Sequence, residues 1–162
     1  MSSLEWETPQ LFFDELNREF NFTIDVCATN KNAKLSRFIS PEMNALNYIW
    51  SGICWMNPPY DRNIGLWIAK TWQAAQSGVT VVALLQGRST DTIWFHDYIM
   101  KASEIRFIKD RLSFGLDGKF SRANISNMIV VFRPFCQGPP IVSSIDNKGK
   151  SILNSCAQKA LL

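Results

Sequence analysis

The chain has 162 residues, of which 46% are hydrophobic and 19% charged, with 17 Lys and Arg, 14 Asp and Glu and a net charge of +3. That length fits one domain whose core buries about 70% of the unfolded surface without disulfide staples, and the composition excludes intrinsic disorder. No run reaches the roughly 18 apolar residues of a membrane-spanning helix, and a single histidine, His96, removes most histidine-based metal sites and triads.

The N-terminus, Met1-Ser2-Ser3-Leu4-Glu5, has no basic region ahead of an apolar run, so no secretory signal is expected. Cys27, Cys54, Cys136 and Cys156 are widely spaced and form no CxxC pair, which reads as reduced thiols in a cytoplasmic protein, with no metal site and no membrane contact. Charge is uneven: residues 1–81 carry six Lys/Arg against eight Asp/Glu, a net of −2, and residues 82–162 carry eleven against six, a net of +5. The basic half is either an ordinary solvated face or a surface that meets a polyanion. The 20 aromatics (six Trp, three Tyr, 11 Phe) serve mainly the core, with some left to stack on a flat ligand.

In chain order, Thr8-Pro9 reads as a helix start with Thr as cap, followed by Leu11, Phe12, Leu16 and Phe20 on one face. Residues 22–27 form a short β-rich run, and residues 53–56 another that stops at Asn57-Pro58-Pro59-Tyr60. Ile64, Trp67, Ile68, Thr71 and Ala75 recur at helical spacing until Gly78. Residues 79–85 are nearly all apolar, as in a strand buried on both faces; residues 94–101 read as helix, and residues 105–108 and 128–132 as strands. This alternation predicts an α/β domain with a largely parallel sheet. Ligands of such sheets lie beyond the carboxyl ends of the strands, so residues 25–30 and 57–61 are expected to share one crevice. Gln137-Gly138-Pro139-Pro140 ends the regular pattern, and residues 137–162 read as a tail with at most one short helix, from about Ser151.

The strongest chemical signal is Asn57-Pro58-Pro59-Tyr60 at the end of its strand. An amino group conjugated to a ring is a poor nucleophile because its lone pair is delocalised. Two acceptors on its hydrogens, the Asn57 side-chain oxygen and the Pro58 carbonyl, favour a pyramidal nitrogen that can attack, and the prolines hold them still. Tyr60 can stack on the ring. Read without a ligand, the same letters are a loop after a strand with a core tyrosine.

Asn57-Pro58-Pro59-Tyr60 matches the (D/N/S)PP(Y/F) motif of S-adenosylmethionine-dependent amino-group methyltransferases. Together with Trp6-Glu7-Thr8-Pro9, Ile24-Asp25-Val26-Cys27-Ala28, Trp94-Phe95-His96-Asp97 and residues 104–109, in that order, the chain resembles the small phage-type DNA N6-adenine methyltransferases (the phage Dam family) over roughly residues 4–134. The resemblance implies a compact Rossmann-like methyltransferase fold, with residues 1–136 as the catalytic domain. The 31 residues between Asp25 and Asn57 make the region between the cofactor and catalytic motifs short, and residues 34–39 read there as a vestigial strand. It implies Asn57, Pro58, Pro59 and Tyr60 as catalytic. Trp6, Thr8, Pro9, Asp25, Cys27, Ala28 and Asn44 are implied as cofactor-binding. Arg88, Asp91 and Arg111 are implied as substrate-binding, with Arg88 either a contact to a phosphate or base or a plain surface arginine.

Several positions depart from the family pattern. Cys27-Ala28-Thr29 stands where a glycine-rich turn is usual, Asn44 replaces an acid, and Ala123-Asn124-Ile125-Ser126-Asn127 replaces Ala-Pro-Phe-Pro-Ser. Asp25 is either a partner for the cofactor's ammonium or the cap of a turn, and Asn44 a cofactor contact or a turn residue. The function implied is methyl transfer from S-adenosylmethionine to adenine N6 in double-stranded DNA. With no separate recognition domain expected, a homodimer is one way to read a site. The rival readings are an RNA or protein-glutamine methyltransferase with the same motif, a catalytically silent nucleic-acid-binding module, and a structural domain sharing only the fold.

Overall fold

A computed structural model describes residues 6–152. Its elements are α1 (Gln10–Phe20), β1 (Ile24–Asp25), β2 (Ile53–Met56), α2 (Ile64–Gln76), β3 (Thr80–Gln86), α3 (Ile93–Asp97), β4 (Glu104–Ile108), β5 (Ser113–Leu116), β6 (Lys119–Arg122), β7 (Asn127–Phe132) and β8 (Ile141–Ile145). Six strands form one sheet in the order β1-β2-β3-β7-β4-β8, and β5 and β6 pair separately. β7 runs antiparallel to both its neighbours, while β1, β2 and β3 pair in parallel, as do β4 and β8. The expected α/β fold with a mostly parallel sheet is present.

Alternation of side chains along the strands builds two cores, one on each face. Val81, Ala83 and Leu85 face α2, packing with Ile68, Ala75 and Phe95. Val82 and Leu84 face α1, packing with Phe12, Phe13, Leu16 and Trp55. β3 is therefore apolar throughout because both its faces are covered. Much of the aromatic excess lies in the second core, where Phe13 meets Trp55 edge-on at 5.4 Å between ring centroids and Phe22 stacks beside Phe20 at 5.7 Å.

α2 ends as expected, with Gly78 at φ +91 where a Cβ would be strained. The 34–39 expectation also holds in reduced form. Phe38 makes a single parallel bridge to Asp25, and the Asp25 amide donates to the Arg37 carbonyl while the Ile39 amide donates back to Asp25.

Four expectations are corrected. Thr8 is not the cap of α1: Pro9 holds that position, and the Thr8 hydroxyl is engaged elsewhere. Leu11 is 74% exposed, and Phe13 takes the core place instead. The 94–101 helix is a five-residue helix followed by a 3-10 turn at Ile99–Lys101. Residues 141–145 are not tail but β8, beside β4, with Ile145 buried in the second core. Residues 153–162, which include Cys156 and most of the expected short helix, lie outside the described residues. Among the described residues no helix is long and apolar enough to cross a membrane.

Candidate active site

The carboxyl end of β2 delivers Asn57 and Pro58 into a cavity of about 340 Å³. Its walls come from four parts of the chain: Trp6 from the N-terminal segment, Asn57, Pro58 and Tyr60 after β2, Leu84 and Gln86 at the end of β3, and residues of β5, β6 and the loop into β7. A cavity of this size is in the range of small-molecule sites.

Each catalytic candidate is held by a specific contact. The Asn57 Nδ2 donates to the Thr8 Oγ1 at 3.2 Å, and Thr8 is itself 3% exposed. With the amide nitrogen turned to Thr8, the Asn57 oxygen is the atom left to accept from a ligand. Pro58 and Pro59 are buried and stiffen the turn. The Tyr60 hydroxyl accepts from the Gln86 amide at 2.6 Å, which fixes the ring against the cavity. Burial pushes the Tyr60 pKa up, so the phenol stays neutral and serves as a surface rather than a base.

The N-terminal segment is tied to the far side of the site. The Glu7 amide donates to the Gly115 carbonyl at 2.8 Å, and the Gly115 amide donates back at 3.0 Å. Trp6 and Phe114 line the main cavity, while Glu7 and Gly115 line a second recess of about 260 Å³ with Lys31, Asn32 and the Asp117-Gly118 turn. This paired backbone stands between the two recesses. The single crevice expected for residues 25–30 and 57–61 is therefore corrected: Asn57, Pro58 and Tyr60 line the main cavity, residues 25–30 line neither recess, and the loop after β1 reaches the second only at Lys31 and Asn32.

The remaining candidates fall as follows. Pro9 is half-buried at the start of α1. Asp25 is 2% exposed at the end of β1, where its carboxylate accepts from the Cys27 amide at 3.2 Å and the Lys34 amide at 3.1 Å, so it closes a turn that lacks glycines. Burial raises its pKa to about 6, against the lowering effect of those two amides. Cys27 and Ala28 are buried beside it, and burial also raises the Cys27 thiol. Asn44 is exposed at φ +52 in a turn, its amide donating to the Pro41 carbonyl. Neither cavity is lined by Asp25, Cys27, Ala28 or Asn44.

Arg88 and Asp91 are exposed in the loop after β3, without a hydrogen bond or ion pair among the described residues, and the Arg88 charge acts on Tyr60. Arg111 donates to the Ala123 carbonyl at 3.3 Å and so steadies a cavity-lining loop. His96 is exposed and outside both cavities.

Sequence reasoning missed the β5–β6 hairpin, which brings Phe114, Ser121 and Arg122 to the cavity. Its signal is present in Leu116-Asp117-Gly118-Lys119: an Asp-Gly pair in which both residues have positive φ, +48 and +76, suits a two-residue hairpin.

The sequence matches the family model described as DNA N-6-adenine-methyltransferase (Dam) over residues 3–156. It is also 35% identical over 136 residues to the DNA N-6-adenine-methyltransferase of Haemophilus phage HP1 (strain HP1c1), covering 80% of this chain and 78% of the phage protein.

Proposed function

The chain belongs to the DNA N-6-adenine-methyltransferase (Dam) family, and from that premise we propose that it transfers a methyl group from S-adenosylmethionine to N6 of an adenine in double-stranded DNA. The observation that carries this reading is the Thr8–Asn57 hydrogen bond, which leaves a carbonyl oxygen as the hydrogen-bonding atom of Asn57 toward the cavity. A fixed acceptor suits the amino group of adenine and opposes the carbonyl that guanine or thymine would bring. Asn57 Oδ1 and the Pro58 carbonyl accept the two N6 hydrogens, so the nitrogen lone pair is released from the ring. Tyr60 supports the ring, while Trp6, Leu84 and Phe114 make the wall apolar and exclude water. An adenine in a duplex must leave the base stack to reach this depth.

The polar recess beside Thr8 suits the cofactor: Lys31 brings a positive charge for an amino-acid carboxylate, and Glu7, which shares its Oε1 with Lys34 at 2.7 Å, brings a carboxylate for the ammonium, with Asn32 in the wall held by Thr29. When bound, S-adenosylmethionine supplies a methyl group already activated on a sulfonium, so the protein's task is orientation. Asp25, Cys27 and Ala28, at the carboxyl end of β1, hold the loop that carries Lys31 and Asn32. The strand order, with one antiparallel strand inserted beside three parallel ones, supports a Rossmann-like methyltransferase core. Arg122 lines the cavity, Arg111 holds the Ala123 carbonyl in its wall and the Arg88 charge acts on Tyr60, so these arginines would meet backbone phosphates, with Asp91 in the same loop as Arg88.

The test is incubation of the purified chain with unmethylated duplex DNA and labelled S-adenosylmethionine, followed by base analysis. N6-methyladenine should form, and Asn57→Ala should lose at least about 100-fold in rate while keeping its thermal midpoint. No N6-methyladenine in the DNA, or equal activity in Asn57→Ala, would refute the proposal.

A further inference from the structure

Gln86 ends β3 and Asn127 begins β7, and the two are direct partners in the antiparallel ladder. They therefore sit on one face of the sheet, the face that Leu84 shares, and both line the cavity that holds Asn57 and Tyr60. The strand ends are fixed there: the Gly87 amide donates to the Ser126 carbonyl at 2.7 Å, and the Tyr60 hydroxyl takes the Gln86 amide.

Their side chains are not fixed. Asn127 is 7% exposed, yet its Oδ1 has no hydrogen-bond partner among the described residues, and its Nδ2 reaches the Leu85 carbonyl only at 3.5 Å. The Gln86 Oε1 is likewise buried without a partner. Among the described residues the one other buried polar side-chain atom without a partner is the Trp72 Nε1, a donor away from the cavity, whereas Asp25 is satisfied by two amides, Thr8 by Asn57, Thr71 by the Trp67 carbonyl and Arg106 by two carboxylates. Leaving buried acceptors unpaired costs stability, and a native fold tolerates it chiefly where a ligand or water completes them.

We infer that the paired carboxamides of Gln86 and Asn127 read the edge of the target adenine, contacting the ring nitrogen that flanks its amino group. This rests on the proposed function, because it takes the cavity as the adenine site. With both amino hydrogens taken by Asn57 Oδ1 and the Pro58 carbonyl, the adenine edge still offers an acceptor, N1 or N7, and a carboxamide turned so that its N–H replaces its unpaired oxygen donates to it. Asn57 is held by Thr8 through one of its Nδ2 hydrogens and is assigned here to the amino group through its oxygen, so the donor for the ring nitrogen has to come from elsewhere. Gln86 and Asn127 can supply it, because no strong hydrogen bond holds either amide in one orientation. Asn57 then selects for an amino group, and this pair places the ring.

The experiment uses duplexes in which the target adenine is replaced by 1-deaza-adenine or 7-deaza-adenine, with the intact chain and its Asn127→Leu and Gln86→Leu variants. The unmodified enzyme should lose about tenfold in kcat/KM on one analogue, the order expected for one lost hydrogen bond. At least one variant should lose a similar factor on adenine and show no further loss on that analogue. Asn127→Leu should also keep or raise the thermal midpoint, because it removes an unpaired buried oxygen. Equal sensitivity to the analogue in wild type and both variants, or no sensitivity to either analogue in wild type, would overturn the inference while leaving the proposed function standing. Failure of the wild type to methylate unmodified duplex would remove the proposed function, and this inference with it.

Discussion

At the residue scale, the site depends on Thr8 telling Asn57 which way to face. A carboxamide is nearly symmetric in shape, so only hydrogen bonding decides whether oxygen or nitrogen meets the ligand. Thr8→Val keeps the shape and removes the acceptor. It should lower kcat in single-turnover methylation by about tenfold, whereas Thr8→Ser should keep most of the rate. Asp25 makes a second prediction. Its folded pKa of about 6 lies above the ordinary 3.8, so the folded state holds that proton more tightly than the unfolded one. Stability from this group is therefore fully present below about pH 4 and lost as pH rises through 6. Denaturant melts of wild type and Asp25→Asn should show the wild type gaining roughly 2 kcal/mol relative to the variant between pH 7 and pH 4. A flat difference would mean that Asp25 titrates normally.

At the element scale, α1 is anchored to the sheet by charge as well as by its aromatic face. Arg106 on β4 meets Glu19 through two hydrogen bonds of 2.7 Å and Glu104 at 2.6 Å, and its guanidinium lies 5.3 Å from the Phe20 ring centroid. Arg106→Leu should destabilise the fold by roughly 2–4 kcal/mol, the lower end reflecting the exposure of Glu19, and calorimetry should read it as a fall in thermal midpoint. What the sequence made legible follows from the same physics. β2, β3, α2 and β7 are long or apolar enough for periodicity to mark them. β1 has only two residues, because β2 and the 37–39 bridge satisfy its backbone. β8 is polar in Ser143 and Ser144 and exposed at Ile141 and Val142, as suits an edge strand, so no apolar run announces it. The Asn57 motif was readable because its chemistry is local in sequence. Thr8, Gln86 and Asn127 were harder to assign, since their roles arise only where segments distant in the chain meet.

At the scale of the whole molecule, the folding unit extends past the two prolines at 139 and 140. Ile145 is 1% exposed in the core that also holds α1. Ile145→Ala should cost about 2–4 kcal/mol in chemical denaturation, as a core truncation does, whereas a tail residue would change nothing measurable. The place of β7 sets a further condition. It follows β3 and β4 in the chain but lies between them, so those two strands are not neighbours in the finished sheet and each has an edge that only β7 covers. The floor of the cavity, where Gln86 meets Asn127, closes only when that strand is in place. A ribosome that stops before residue 127 releases a chain with two open strand edges and no finished site, which is prone to stick to its neighbours. Completion of the cavity floor and cover for the open edges of β3 and β4 thus depend on the same strand.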